Sequence, residues 1–131
     1  MPEGKSQLNN DKMFNNKYDL EERTAKFGEE IIKFAKKIPI NPVTIRVVPQ
    51  LVAAGTSVGA NYGEADDAES SKDSKHKIGI CKKETREAKH WLRIIVVACP
   101  ELKDEARKLW QEAKELNLIF NSINNKLKKK N

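Results

Sequence analysis

The chain has 131 residues, 38% hydrophobic and 34% charged, which suits one domain with its own core and excludes a disordered polymer. It holds no run of about 18 apolar residues, and residues 1–12 contain no hydrophobic signal segment, so a soluble, cytoplasmic protein without a membrane span is expected. The formal charge of +6 is unevenly held: residues 71–93 carry +5 and residues 126–131 carry +4, against −3 for everything else.

Residues 1–17 are polar and rich in Asn and Lys, which predicts a flexible N-terminal arm before a bundle over 18–131. A first helix over about 19–38 follows from Leu20, Thr24, Phe27, Ile31, Phe34 and Ile38, spaced alternately by four and three. Asp19 with Glu22 makes its capping signal, and Pro39 stops it. Asn41 as N-cap, with Pro42 at the first helical position, opens a second helix over about 42–69. Its inner face is Val48, Leu51, Gly55, Val58, Tyr62 and Ala65, and Pro49 predicts a kink near its start.

Ser70, with Asp73 three residues on, restarts the chain into a third helix over about 71–98. Its stripe is Ile78, Cys81, Thr85, Ala88, Leu92, Ile95 and Cys99. The two cysteines stand 18 residues apart on this one helix, about 27 Å, so they stay reduced and unpaired. Pro100 ends this helix and begins a fourth over about 100–130, with Leu102, Ala106, Leu109, Ala113, Leu116, Phe120, Ile123 and Leu127 in an unbroken 4-3 pattern. Lysines at its end suit the negative pole of the helix dipole. Four amphipathic helices with short connectors and no alternating strand pattern predict an all-α, up-down-up-down four-helix bundle.

Two strings within these helices are distinctive. The second helix carries Gly55-Thr56-Ser57-Val58-Gly59-Ala60-Asn61-Tyr62 followed by Glu64-Ala65; the third carries Lys83-Glu84, then Glu87, Trp91 and Leu92. Together they resemble the bacterial family of 23S ribosomal RNA intervening-sequence proteins over roughly residues 18–127. The resemblance implies a four-helix bundle assembled into a ring-shaped homo-oligomer, a homopentamer. Some members of that family are encoded inside intervening sequences of large ribosomal RNA genes. A more distant resemblance is to accessory proteins of diversity-generating retroelements, basic rings that bind nucleic acid and a reverse transcriptase; that partner is not carried over.

Gly55, Gly59 and Gly63 recur every four residues, and each costs about 1 kcal/mol against Ala in a helix interior. Close backbone approach by a neighbouring helix is the expected compensation; a flexible hinge is the rival. Ser57, Asn61 and Glu64 share a second face of this helix, while Glu84, Glu87 and Trp91 share a face of the third with Ile80 and Ile94. Carboxylates among Ile and Trp predict a structural polar network or a subunit interface, with solvated charges or a ligand site as alternatives. The extra apolar residues Ile80, Trp91, Ile94, Trp110, Leu118 and Ile119 exceed what one four-helix core covers, which also predicts self-association.

Three catalytic or metal patterns are weaker than they look. Gly55-Thr56-Ser57-Val58-Gly59 fits G-x-S-x-G, but a nucleophile elbow needs a strand-turn-helix and this string lies within a helix. Glu87 and His90 make one E-x-x-H, whereas a di-iron bundle needs two, with further glutamates; the other histidine, His76, is on the same helix. Arg86 and His90 are one turn apart, closer than helical-bundle ribonucleases space them. No catalytic residue, metal, cofactor or small-molecule substrate is expected.

Lys75, Lys82, Arg86, Lys89 and Arg93 share one face of the third helix over 18 residues, a stripe of about 27 Å that matches a run of phosphates. Lys128, Lys129 and Lys130 add a second basic element. No aromatic residue interleaves with the stripe, so sequence-nonspecific phosphate contact without base stacking is expected. An acidic protein partner or plain solvation are the alternatives for this face. The chain is thus read as a non-enzymatic homo-oligomeric binding or scaffold protein associated with RNA or DNA. The competing reading is a purely structural or protein–protein module.

Overall fold

The computed structural model describes residues 16–130, with side chains for 20–128. Its helices are α1 (Asn16–Ala35), α2 (Thr44–Asp66), α3 (Ser71–Ala98) and α4 (Lys103–Lys130), with a 3-10 turn at Pro100–Leu102 and no strand among the described residues. Residues 1–15 of the expected arm lie outside the described residues.

Helix α1 begins at Asn16, earlier than the sequence suggests, so Asp19 sits inside the helix and is not its cap. The helix ends at Ala35, and bonds from Lys37 N to Phe34 O and from Ile38 N to Ala35 O carry one more turn that buries Ile38. Helix α2 starts as Asn41 dictates. Its Oδ1 accepts the N–H groups of Val43 and Thr44, both at 2.9 Å, and Thr44 Oγ1 accepts Asn41 N–H in return. The helix runs uninterrupted through the exposed Pro49. Ser70 caps α3, its hydroxyl accepting Asp73 N–H at 3.1 Å. Cys99 N closes α3 on Ile95 O, and Pro100 opens the short turn into α4.

Consecutive helices run antiparallel, as do α1 and α4, because their contacts pair rising with falling residue numbers. Ile31 and Thr24 of α1 meet Gly55 and Gly59 of α2. Cys81 Sγ and Lys77 of α3 meet Val58 and Glu64 of α2. Thr85 and Lys89 of α3 meet Asn117 and Trp110 of α4. Arg23 and Lys37 of α1 meet Glu112 and Glu105 of α4. The core between the helices is Phe27, Ile31 and Phe34 with Leu51, Val58, Cys81, Leu92, Ile95, Leu116 and Phe120. The cysteines are free and buried, and Cys81 donates its thiol to Val58 O.

The glycine stripe divides. A methyl on Gly55 would stand 2.7 Å from Ile31 Cγ1, and one on Gly59 would stand 3.3 Å from Thr24 O, so both positions admit α1 at close range. Gly63 has nothing within 4 Å of the same position; close packing does not explain it. The reciprocal glycine is Gly28 of α1, whose Cβ position lies 3.5 Å from Thr56 Cα. Gly55→Ala therefore should overpack Ile31 and lower stability by about 1–3 kcal/mol. Gly63→Ala should raise it by about 0.5–1 kcal/mol through helix propensity alone. Paired urea melts check both signs.

Helix α1 packs less extensively on α4 than on α2, and ion pairs close that seam. Arg23 grips Glu112 through Nε at 2.8 Å and Nη2 at 2.9 Å, and Nη2 also reaches Glu115 at 2.7 Å. Hydrogen bonding to Glu112 pushes the guanidinium's pKa still higher, against the opposing effect of burial. Lys37 and Glu105 repeat the link at 2.6 Å, nearer the other end. A bidentate pair with a third acceptor is stronger than an ordinary surface pair. Arg23→Met should cost about 1 kcal/mol, and a double-mutant cycle with Glu112→Gln should show coupling of similar size in thermal unfolding.

Candidate functional site

Helix α4 has two flanks of opposite character. Its carboxylates Glu105, Glu112 and Glu115 turn to α1, where Lys37 and Arg23 hold them. The flank toward α3 carries Lys103, Arg107, Trp110, Lys114 and Asn117 by helical spacing. Across from it, α3 presents Lys75, Lys82, Arg86, Lys89 and Arg93, three of them half-buried (Lys75, Lys82, Lys89) and two exposed. Eight cations thus line one side of the α3–α4 pair, and none forms an ion pair with a described carboxylate.

Direct contacts stitch this flank together. Asn117 Nδ2 donates to Lys82 O at 2.7 Å and to Thr85 Oγ1 at 3.0 Å, setting the register of the two helices. Lys89 Nζ lies 5.3 Å from the Trp110 ring centroid and Lys114 Nζ lies 5.7 Å from it. The expectation that no aromatic accompanies the basic stripe is therefore corrected. Trp110 comes from the neighbouring helix, which spacing along α3 alone cannot reveal. Lys128 extends the flank by spacing along α4 and is exposed; the side chains of Lys129 and Lys130 lie outside the described residues.

The other motif face does not form the expected bridged network. Asn61 Nδ2 turns back along α2 to Ser57 O and Ser57 Oγ, at 2.9 and 3.1 Å, and makes no bond to Glu84 or Glu87. Glu64 pairs with Lys77 at 2.5 Å. Half-buried Glu84 has no hydrogen bond or ion pair to a described residue, and Glu87 is exposed. Trp91 is half-buried against the core with Ile94 and meets His90 edge-on at 4.8 Å between centroids. Val97, one turn past Arg93, stands 79% exposed.

The catalytic patterns do not assemble into sites. Ser57 lies inside uninterrupted α2 with its hydroxyl accepting from Asn61, which is not the strained elbow its motif needs. His90 packs against Trp91, and no group of three His, Cys, Asp or Glu side chains suited to a metal occurs among the described residues. Burial raises the Cys81 thiol to about 12, so it stays neutral and unreactive at ordinary pH. No helix among the described residues is long and apolar enough to cross a membrane.

An antiparallel bundle with one cationic flank defines a small all-α protein without an assembled catalytic centre among the described residues. The chain belongs to the family of 23S rRNA-intervening sequence proteins, whose model matches residues 16–122. Among solved structures it is similar to a protein of unknown function from the S23 ribosomal protein family of Bacteroides thetaiotaomicron. The TM-score is 0.72 at 25% identity, covering 80% of this chain and 97% of the other. A comparison with curated proteins finds no match.

Desolvation, reinforced by Glu87, raises the Glu84 carboxyl above its ordinary 4.5. The folded state therefore resists ionisation more than the unfolded chain does. Glu84 stabilises most while both states are protonated, below about 4.5, and that contribution is lost as pH rises through the higher folded value. Glu84→Gln should gain stability over wild type at about pH 7 relative to about pH 4. Thermal unfolding of both proteins at the two pH values measures the difference.

Proposed function

We propose that this protein is a non-enzymatic homo-oligomeric binding protein that carries RNA or DNA along its α3–α4 flank. The observation that supports this is the sorting of charge on α4. Lys103, Arg107 and Lys114 join Lys82, Arg86, Lys89 and Arg93 on a surface where no described carboxylate pairs with them. Unpaired cations in such density repel one another, and a polyanion relieves that repulsion while releasing its own counterions. The free thiols Cys81 and Cys99 fit a reducing, cytoplasmic setting.

Assembly is proposed through the α2–α3 flank, as a ring of five by the family likeness. Half-buried Trp91 and Ile94 stand there, and half-buried Glu84 has no hydrogen bond or ion pair to a described residue. A second copy covering this flank removes apolar surface from water and supplies the missing donor. The basic residues of α3 lie on its opposite side and stay outside such a contact. A module that works by protein contact alone is the second reading, favoured by this same apolar flank.

Fluorescence anisotropy with a labelled RNA at about 50–200 mM salt tests the binding, with an expected slope of about 0.7–0.9 per neutralised phosphate. Replacing Lys82, Arg86, Lys89 and Arg93 by Glu should abolish binding and leave the oligomer intact by light scattering. Deleting residues 128–131 should only weaken it. Absence of binding at about 50 mM salt, or equal binding by the charge-reversed variant, transfers the function to protein contact alone. A single-chain mass at micromolar concentration removes the ring.

A further inference from the structure

The α3–α4 flank is more than a row of charges, because a cleft of ≈ 480 Å³ opens in it beside Trp110. Leu92, Val96 and Trp110 give it an apolar floor, while Arg93, Lys103 and Arg107 stand at its rim. The volume falls within the range of small-ligand sites, and flat apolar ground ringed by cations is an unusual combination on one surface. Each candidate occupant must satisfy both parts. A duplex meets the rim with its phosphates, but its bases are stacked inside and do not reach the floor. A run of acidic side chains meets the rim and brings no flat group to Trp110. A single strand brings both, since every unpaired base has a π-face and every linkage a phosphate.

Building on the reading of this flank as a nucleic-acid surface, we infer that the cleft takes one unpaired nucleobase of a single-stranded nucleic acid. The base lies against the Trp110 ring while its flanking phosphates bind Arg93, Lys103 and Arg107. Lys89 and Lys114 rest near the indole in the free protein and turn to neighbouring phosphates when the base arrives. Gln111, also at the cleft, offers an amide to the base edge; a single amide gives a mild preference among bases and no sequence code.

Affinities of the full chain for three equal-length probes decide the matter: a uridine oligomer, the same backbone without bases, and a duplex. The uridine oligomer should bind about fivefold to a hundredfold tighter than the abasic strand. Trp110→Leu, which keeps the floor apolar, should erase that preference, so that the uridine oligomer binds no tighter than the abasic strand. In a Trp91→Phe background Trp110 is the remaining tryptophan. Its fluorescence should be quenched saturably by the uridine oligomer and unaffected by the abasic strand, which decides the point even if Trp110→Leu misfolds. Equal binding of all three probes with steep salt dependence overturns the base cleft and leaves the phosphate-binding flank standing. Failure of every nucleic acid to bind at about 50 mM salt overturns both. Polyglutamate binding as tightly as the uridine oligomer also overturns both, in favour of an acidic protein partner.

Discussion

The grip of Arg23 on Glu112 and Glu115 organises more of this molecule than its surface position suggests. It closes the seam between the first and last helices. It agrees with the facing that the buried stripe Ala106, Ala113, Leu116 and Phe120 gives α4. Once three carboxylates of α4 are turned toward α1, helical geometry sends Lys103, Arg107 and Lys114 toward α3, where further cations already stand. One rotation of one helix thus settles closure of the bundle and the sign of the surface it shares with α3.

That rotation explains why the architecture is legible in the sequence and the cationic flank only half so. Helix α4 announced itself through Ala106, Ala113, Leu116 and Phe120, and Asn41 and Ser70 cap where their chemistry says they should. These are local signals, decided within a few residues. Residues 94–125 sum to −1, and that sum conceals a flank of cations back to back with a flank of acids. Trp110 is off the core stripe of its own helix, and spacing alone cannot say that it meets Lys89. The glycines teach the same point: Gly55 and Gly63 look alike in a four-residue repeat, yet only the first lies under Ile31. Gly28, outside the repeat, takes part in the close contact because α1 meets α2 from its side. An unusually small pair of facing residues on two helices was the available signal, visible only once the helices are paired.

Helix α3 is central to both proposed activities because it is shared. Its core edge is occupied by Cys81, Thr85, Ala88 and Leu92, mostly small or slender residues that let α2 and α4 close over it. Trp91 and Ile94 emerge on the α2 side, and Arg86, Lys89 and Arg93 toward α4. Were a ring to form through the first flank, it would repeat the second at regular intervals, and weak individual contacts would combine through effective concentration.

The turn at Cys99–Leu102 gives the bundle an internal phase lock. Only four residues separate the end of α3 from the first full turn of α4, with Pro100 limiting the backbone and Leu102 N bonded to Cys99 O. A connector this short transmits rotation directly, and each residue of helix corresponds to about 100°. Adding one residue there would shift each residue of α4 into the place of the next and carry Glu105, Glu112 and Glu115 to the core positions of Ala106, Ala113 and Leu116. The indole would leave its cleft and Arg23 would lose its carboxylates in the same movement. Length in this connector therefore acts as a coordinate of surface chemistry, so insertions tolerated at ordinary loop tips are excluded here.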